Sequence, residues 1–200
     1  MKTDGQVYAD CMEELKSRLV VVQKFIKSNV STGSDTTDIE FLCLQFRKCI
    51  ELVAMGSIAS HKEGYEKVRK NFQRDWKVEL IFKDIERLNE SFYPVPIVME
   101  RSSQKGVDYH FERLESGYLS REKCIEVYKK CGSLLHAENP YGRNPKIKDV
   151  TKEFSQWIEE IIRLLDTHCI VFPGNNNLWI VQMHPQPSRK VHVFKAEGHN

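Results

Sequence analysis

Along roughly the first 170 positions, apolar residues recur at intervals of three and four, the spacing of one helix face. In segment 7–29 they are Val7, Cys11, Met12, Leu15, Leu19, Val22 and Ile26, which predicts a helix. A loop of small polar residues around Gly33 follows, and Thr37 with Glu40 three residues on reads as a capping box. The next segment, about 38–62, is apolar around most of its circumference, from Phe41 through Phe46, Cys49, Ile50 and Val53 to Ile58 and Ala59. Such a helix belongs at the centre of a bundle, so Gln45, Arg47, Lys48 and Glu51 stand out on it.

The charged stretch 63–75 and the spacing of Trp76, Leu80, Ile81, Ile85 and Leu88 predict further helix, stopped by Pro94 and Pro96. Residues 97–113 show no clear period and read as a long excursion with room for a short strand. Ser120 caps a helix over about 121–137, with Cys124, Val127, Tyr128 and Cys131 on its inner face. Pro140, Gly142 and Pro145 break it, and 149–168 is strongly amphipathic. The period then changes to two in CIVF, LWIVQM and VHVF, which predicts a three-stranded antiparallel meander. The expected fold is mainly α: a bundle of about five helices over 1–168, with short β-strands of the same domain appended over 169–200.

Composition narrows the class. The 200 residues are 40% hydrophobic and 29% charged with a net charge of +2, values of an ordinary globular chain without a global polyanion-binding charge. No run approaches the length of a bilayer span and the N-terminus lacks a signal-peptide core, so a cytoplasmic protein without membrane contact is expected. Of the six cysteines, Cys124 and Cys131 are seven apart on one helix, about 10 Å by helix geometry, too far for a disulfide. Neither the cysteines nor His61, His110, His168, His184, His192 and His199 have metal-ligand spacing, so no metal and no cofactor is expected. GxxxxGK, GxGxxG, HExxH and GxSxG are missing, which removes the commonest nucleotide, metalloprotease and hydrolase readings.

The most distinctive segment is Tyr128-Lys129-Lys130-Cys131-Gly132-Ser133-Leu134-Leu135-His136-Ala137-Glu138-Asn139-Pro140. Lys129 and His136 share a helix face, and Lys130 lies about 60° off it. Gly132 and Ser133 are poor helix formers, and their presence implies close helix approach or a demand for space. A histidine moves protons near neutral pH, and a neighbouring cation stabilises a phosphoryl transition state. With a ribose 2′-hydroxyl as nucleophile, such a pair would cleave RNA without a metal. The opposing reading makes His136 a partner of the helix macrodipole and Lys129 and Lys130 solvated charges. Arg47 and Glu51, four apart, then form an ion pair without further role.

On this segment the chain resembles the HEPN superfamily of small α-helical bundles, over about residues 38–168. Its active members are metal-independent endoribonucleases of toxin and antiviral-defence systems, with an Arg–(4–6 residues)–His motif completed by dimerisation. His136 matches the family's histidine, and Lys130, five residues before it, fills the arginine position. Cys131 stands where a polar residue usually follows the arginine. The resemblance implies His136 and Lys130 as catalytic residues and Lys129, Arg143, Arg47 and Glu51 as substrate contacts. It also implies RNA as substrate, an antitoxin or other protein as partner, and a homodimer. The alternative is a non-catalytic helical module of this fold that binds a protein or a ligand. The segments FRKCIELVAMGSIASHKE, FYPVPI and LLHAENPYG are also similar to bacterial proteins with no assigned activity. Residues 121–152 hold eight basic and four acidic side chains, a local excess that would favour a polyanion.

Overall fold

The computed structural model describes residues 2–28, 30–70, 76–103, 106, 109–137, 141, 150–173 and 177–197. Helix α1, Asp4–Lys27, opens on a capping box: the Gln6 amide donates to Thr3 Oγ1 (3.3 Å) and the Thr3 amide donates to Gln6 Oε1 (2.9 Å). Helix α2, Asp35–Ser60, starts three residues earlier than the Thr37 box predicts. Its cap is Ser34, whose hydroxyl accepts from the Thr37 amide, because a serine directly before the acidic first turn serves as well.

As expected, α2 is the centre of the molecule. Phe46, Cys49 and Ile50 are fully buried, and α1, α4, α5 and α6 all pack on it. Helix α5, Arg121–Leu134, is capped by Ser120 and buries Cys124, Val127, Tyr128 and Cys131 against α2. Helix α6 is Val150–Leu165, and Phe46 meets its Phe154 edge-on with ring centroids 6.3 Å apart.

The charged stretch after α2 is divided. His61 ends α2, the short α3 covers Lys62–Val68, and α4 covers Val78–Glu86. Arg69 and Lys77 adopt extended backbone, which stops one helix and delays the next, so the described residues contain six helices. Trp76 and Leu80, on the predicted apolar spacing, are exposed.

The larger departure concerns the sheet. It has five strands, β1 Val95–Arg101, β2 Tyr109–Arg113, β3 Thr167–Val171, β4 Asn177–Gln182 and β5 His192–Glu197, antiparallel in the order β2-β1-β3-β4-β5. The sheet is therefore not confined to the C-terminal residues, because the excursion of 97–113 is a hairpin joined to β3. Two features hid it. Every residue of β2 is exposed, so no buried face imposes an apolar alternation there. Pro96 also reads as a strand breaker, yet it sits before the β2 ladder begins at Ile97, where a missing amide is tolerated.

One face of the sheet closes the core. Ile170 and Val181 are fully buried, Trp179 meets Tyr8 of α1 edge-on at 6.0 Å, and Val193 packs 3.6 Å from where a Gly5 side chain would begin. The opposite face carries the exposed side chains of Phe194, Phe111, Tyr109 and Met99. Among the described residues, no helix is long and apolar enough to cross a membrane.

Candidate functional site

The segment around His136 is built on the end of α5. The helix ends at Leu134, Leu135 caps it, and His136 follows in a bend with an exposed side chain. Among the described residues it has no hydrogen-bond or ion-pair partner, while α5 stays packed through Val127 and Cys131.

The lysines leading up to it turn away in different directions. Lys130 Nζ lies 2.5 Å from Glu153 Oε2 on α6 and 5.8 Å from the centroid of the Trp157 ring. Lys129 Nζ pairs with Glu79 Oε1 on α4 at 3.2 Å. The other described cations of α5 are also neutralised: Arg121 by Glu86 and Glu122, and Lys123 by Glu126 at 3.1 Å. The four basic residues of α5 are thus matched by carboxylates on this helix and its neighbours, while Lys146 and Lys148 lie outside the described residues. Arg143 lies outside the described residues.

Arg47 and Glu51 come together with Tyr128, buried at the α2–α5 contact. The Arg47 guanidinium carbon sits 3.7 Å from the Tyr128 ring centroid, and Nη1 donates to the Tyr128 carbonyl at 3.3 Å. Nη2 donates to the Tyr128 hydroxyl, which donates to Glu51 Oε1 at 3.1 Å, and Glu51 lies 3.4 Å from Arg47 Nε. The ring of contacts is closed, and burial with the Glu51 charge pushes the Tyr128 hydroxyl up to about 12. Gly132 makes it possible: a Cβ there would stand 2.6 Å from Arg47 Nη1. The poor helix former in the motif is thus explained by the arginine threading past it. Cys131 beside it touches Cys43 of α2, and that thiol contact with burial raises its pKa strongly. A thiol held neutral in this way is a packing group, not a nucleophile.

Two buried histidines anchor the sheet. The Leu165 carbonyl can only accept, so His168 Nδ1 donates to it (2.8 Å) and Nε2 accepts from the Tyr8 hydroxyl (2.7 Å). Burial lowers the His168 pKa to about 4. His61 donates from Nδ1 to the Ser57 carbonyl (3.0 Å) and accepts from Asn89 Nδ2 (2.8 Å), which also donates to the Val171 carbonyl (2.7 Å). Burial lowers its pKa as well. Both rings are neutral structural links between helix and strand.

Sequence reasoning passed over one group of side chains, on the outer face of the sheet. The period-two run Tyr109-His110-Phe111-Glu112-Arg113 was the signal, too short to stand out without a buried partner strand. No group of histidine, cysteine and carboxylate side chains among the described residues is arranged to hold a metal ion.

The fold and these contacts define a mainly helical protein carrying an antiparallel sheet with one open face. Compared with protein-family models, curated proteins and solved structures, the chain matches none of them.

Proposed function

We propose that this chain is a HEPN-like helical module that works by binding rather than by cutting RNA at His136. What supports this reading is the engagement of its cations. Lys130, in the arginine position of the motif, is held by Glu153, and Lys129 by Glu79. Arg47 spends its guanidinium on Tyr128 and Glu51. A phosphate arriving beside His136 would have to displace carboxylates to gain a positive neighbour.

The exposed, unpartnered His136 favours the second reading, a metal-independent endoribonuclease of toxin or defence type. In it His136 is the acid–base group and Lys130 the phosphate-stabilising cation, with cleavage leaving a cyclic phosphate. Incubating wild type, His136→Ala and Lys130→Arg with mixed RNA in EDTA separates the two. The binding module leaves the RNA intact in all three. Cleavage by wild type that His136→Ala abolishes overturns it. HEPN-like pairing also carries a homodimer, which light scattering checks against the 23.4 kDa of one chain.

A further inference from the structure

The register places alternate strand residues on the two faces of the sheet. Val193, Trp179 and Ile170 face the helices. Phe194, Ile180, Cys169 and Thr167 therefore face outward, as do Met99, Phe111 and Tyr109 on the hairpin. Phe194, Phe111, Tyr109 and Met99 are 47%, 45%, 42% and 36% exposed, an unusual concentration of large apolar groups on one open surface.

Charge is sorted across this sheet. Arg101 pairs with Tyr109 in the ladder and Arg113 with Ile97, so both arginines lie on the outer face, with His192 at its far edge. No strand position on that face is an aspartate or glutamate, and Glu100 and Glu112 of the hairpin point to the other side. Among the described residues neither arginine has an ion-pair partner, in contrast to every described cation of α5. Arg113 also reaches toward the sheet's centre: its charge opposes the rise to about 11 that burial gives the Cys169 thiol.

Between hairpin and sheet lies a cleft of about 420 Å³, lined by Met99, Tyr109, Asp166, Thr167, Gln182 and His184. Its groups include a flat ring, a hydroxyl and a carboxamide that engages only the Met99 sulfur, at 3.6 Å. Among the described residues that line the cleft, Asp166 is the one acid.

We propose that the outer face of the sheet binds single-stranded nucleic acid. The occupant follows from the combination. Exposed aromatic rings with free arginines between them suit unpaired bases joined by phosphates, since bases stack on rings and guanidinium planes while the charge tracks the backbone. A buried apolar partner would leave Arg101 and Arg113 without anions, and a duplex would hide the bases the rings need. In the cleft, the Gln182 carboxamide and the Asp166 carboxylate can meet the donor and acceptor edge of one base. The surface does not use His136, so it stands whether or not that residue cleaves RNA.

Fluorescence anisotropy with labelled 12-residue oligo(U) and oligo(dT), on the full chain at low salt, tests this. Binding by wild type is expected, weakened about tenfold or more by Tyr109→Ala or Phe111→Ala. Arg101→Ala and Arg113→Ala should each weaken it and flatten its salt dependence. The oligo(U) and oligo(dT) arms distinguish ribose from deoxyribose. Glu112→Ala, on the opposite face, and His136→Ala should bind as wild type, and circular dichroism checks that each variant is folded. All the substituted side chains are exposed, so folding should survive. No binding to either strand, or binding indifferent to Tyr109 and Phe111, overturns the proposal. So does a wild-type dimer that Phe111→Asp splits into monomers, which would make this face a contact between copies.

Discussion

At the scale of single residues, His168 is the most heavily constrained titratable group. It is fully buried, with both nitrogens satisfied only in the neutral form, and its pKa is lowered to about 4. The unfolded chain binds a proton near 6.5, so between about 6.5 and 4 the unfolded state holds more protons than the native one. Stability is therefore complete above 6.5 and falls as pH drops through that window, by about 3 kcal/mol from this residue alone. Urea denaturation at pH 7 and pH 4.5 should show the loss, and His168→Gln should remove most of the difference while lowering stability at pH 7. A His168→Gln protein with the wild-type pH slope would place the acid sensitivity elsewhere, His61 being the next group with a lowered pKa. Lys130 makes the contrasting case. Its pair with Glu153 is about one-third exposed on both sides, and exposed pairs are worth about 0.2–1 kcal/mol. Lys130→Ala should shift the thermal midpoint only slightly.

At the scale of elements, the α2–α5 contact turns on the absence of a side chain at Gly132. Replacing glycine by alanine inside a helix normally gains about 1 kcal/mol. Here the new Cβ would meet Arg47 Nη1 at 2.6 Å, and the guanidinium is the movable part. Its displacement forfeits the stacking on Tyr128, worth about 0.5–1 kcal/mol, and charge-assisted hydrogen bonds worth about 1.5–3 kcal/mol. The losses exceed the gain, so Gly132→Ala should destabilise by about 1–3 kcal/mol. In an Arg47→Ala background the same change should stabilise. A double-mutant cycle by urea denaturation checks this, and an unchanged sign would show that Arg47 does not depend on the glycine. Serine at 133 has no comparable duty, its hydroxyl donating to the Lys130 carbonyl at 2.8 Å.

At the scale of the whole molecule, stability is concentrated where α2 meets its neighbours. Phe46 is fully buried between Phe154 and Trp157, so Phe46→Ala should cost about 3–5 kcal/mol, measured by denaturant titration. The β1–β2 hairpin lies at the other extreme. Its outer strand is exposed throughout, and β1 holds to β3 through Val95 and Pro96 alone. Hydrogen exchange at amides of 97–101 and 109–113 should be faster than at β3 and β4, whose ladder runs from Thr167 to Val171. Equal protection would show the hairpin to be part of the cooperative core.

What this sequence determines alone is what local periodicity carries. The α-helices with buried stripes, the central place of α2, the Ser120 cap and the C-terminal strands all repeat a spacing that one buried face imposes. The β1–β2 hairpin leaves only the short alternation of Tyr109–Arg113, because a strand exposed on both faces has no buried face to extend the pattern. The setting of His136, Lys130 and Arg47 is likewise absent from their spacing. Seven residues along a helix define a face, but whether a lysine meets a phosphate or a carboxylate depends on Glu153 and Glu79, contributed by α6 and α4. The free arginines of the outer sheet face are set in the same way, by strands brought together from positions 70 residues apart or more. Ion pairing and exposed surface are made between distant segments, and only the packed chain decides them.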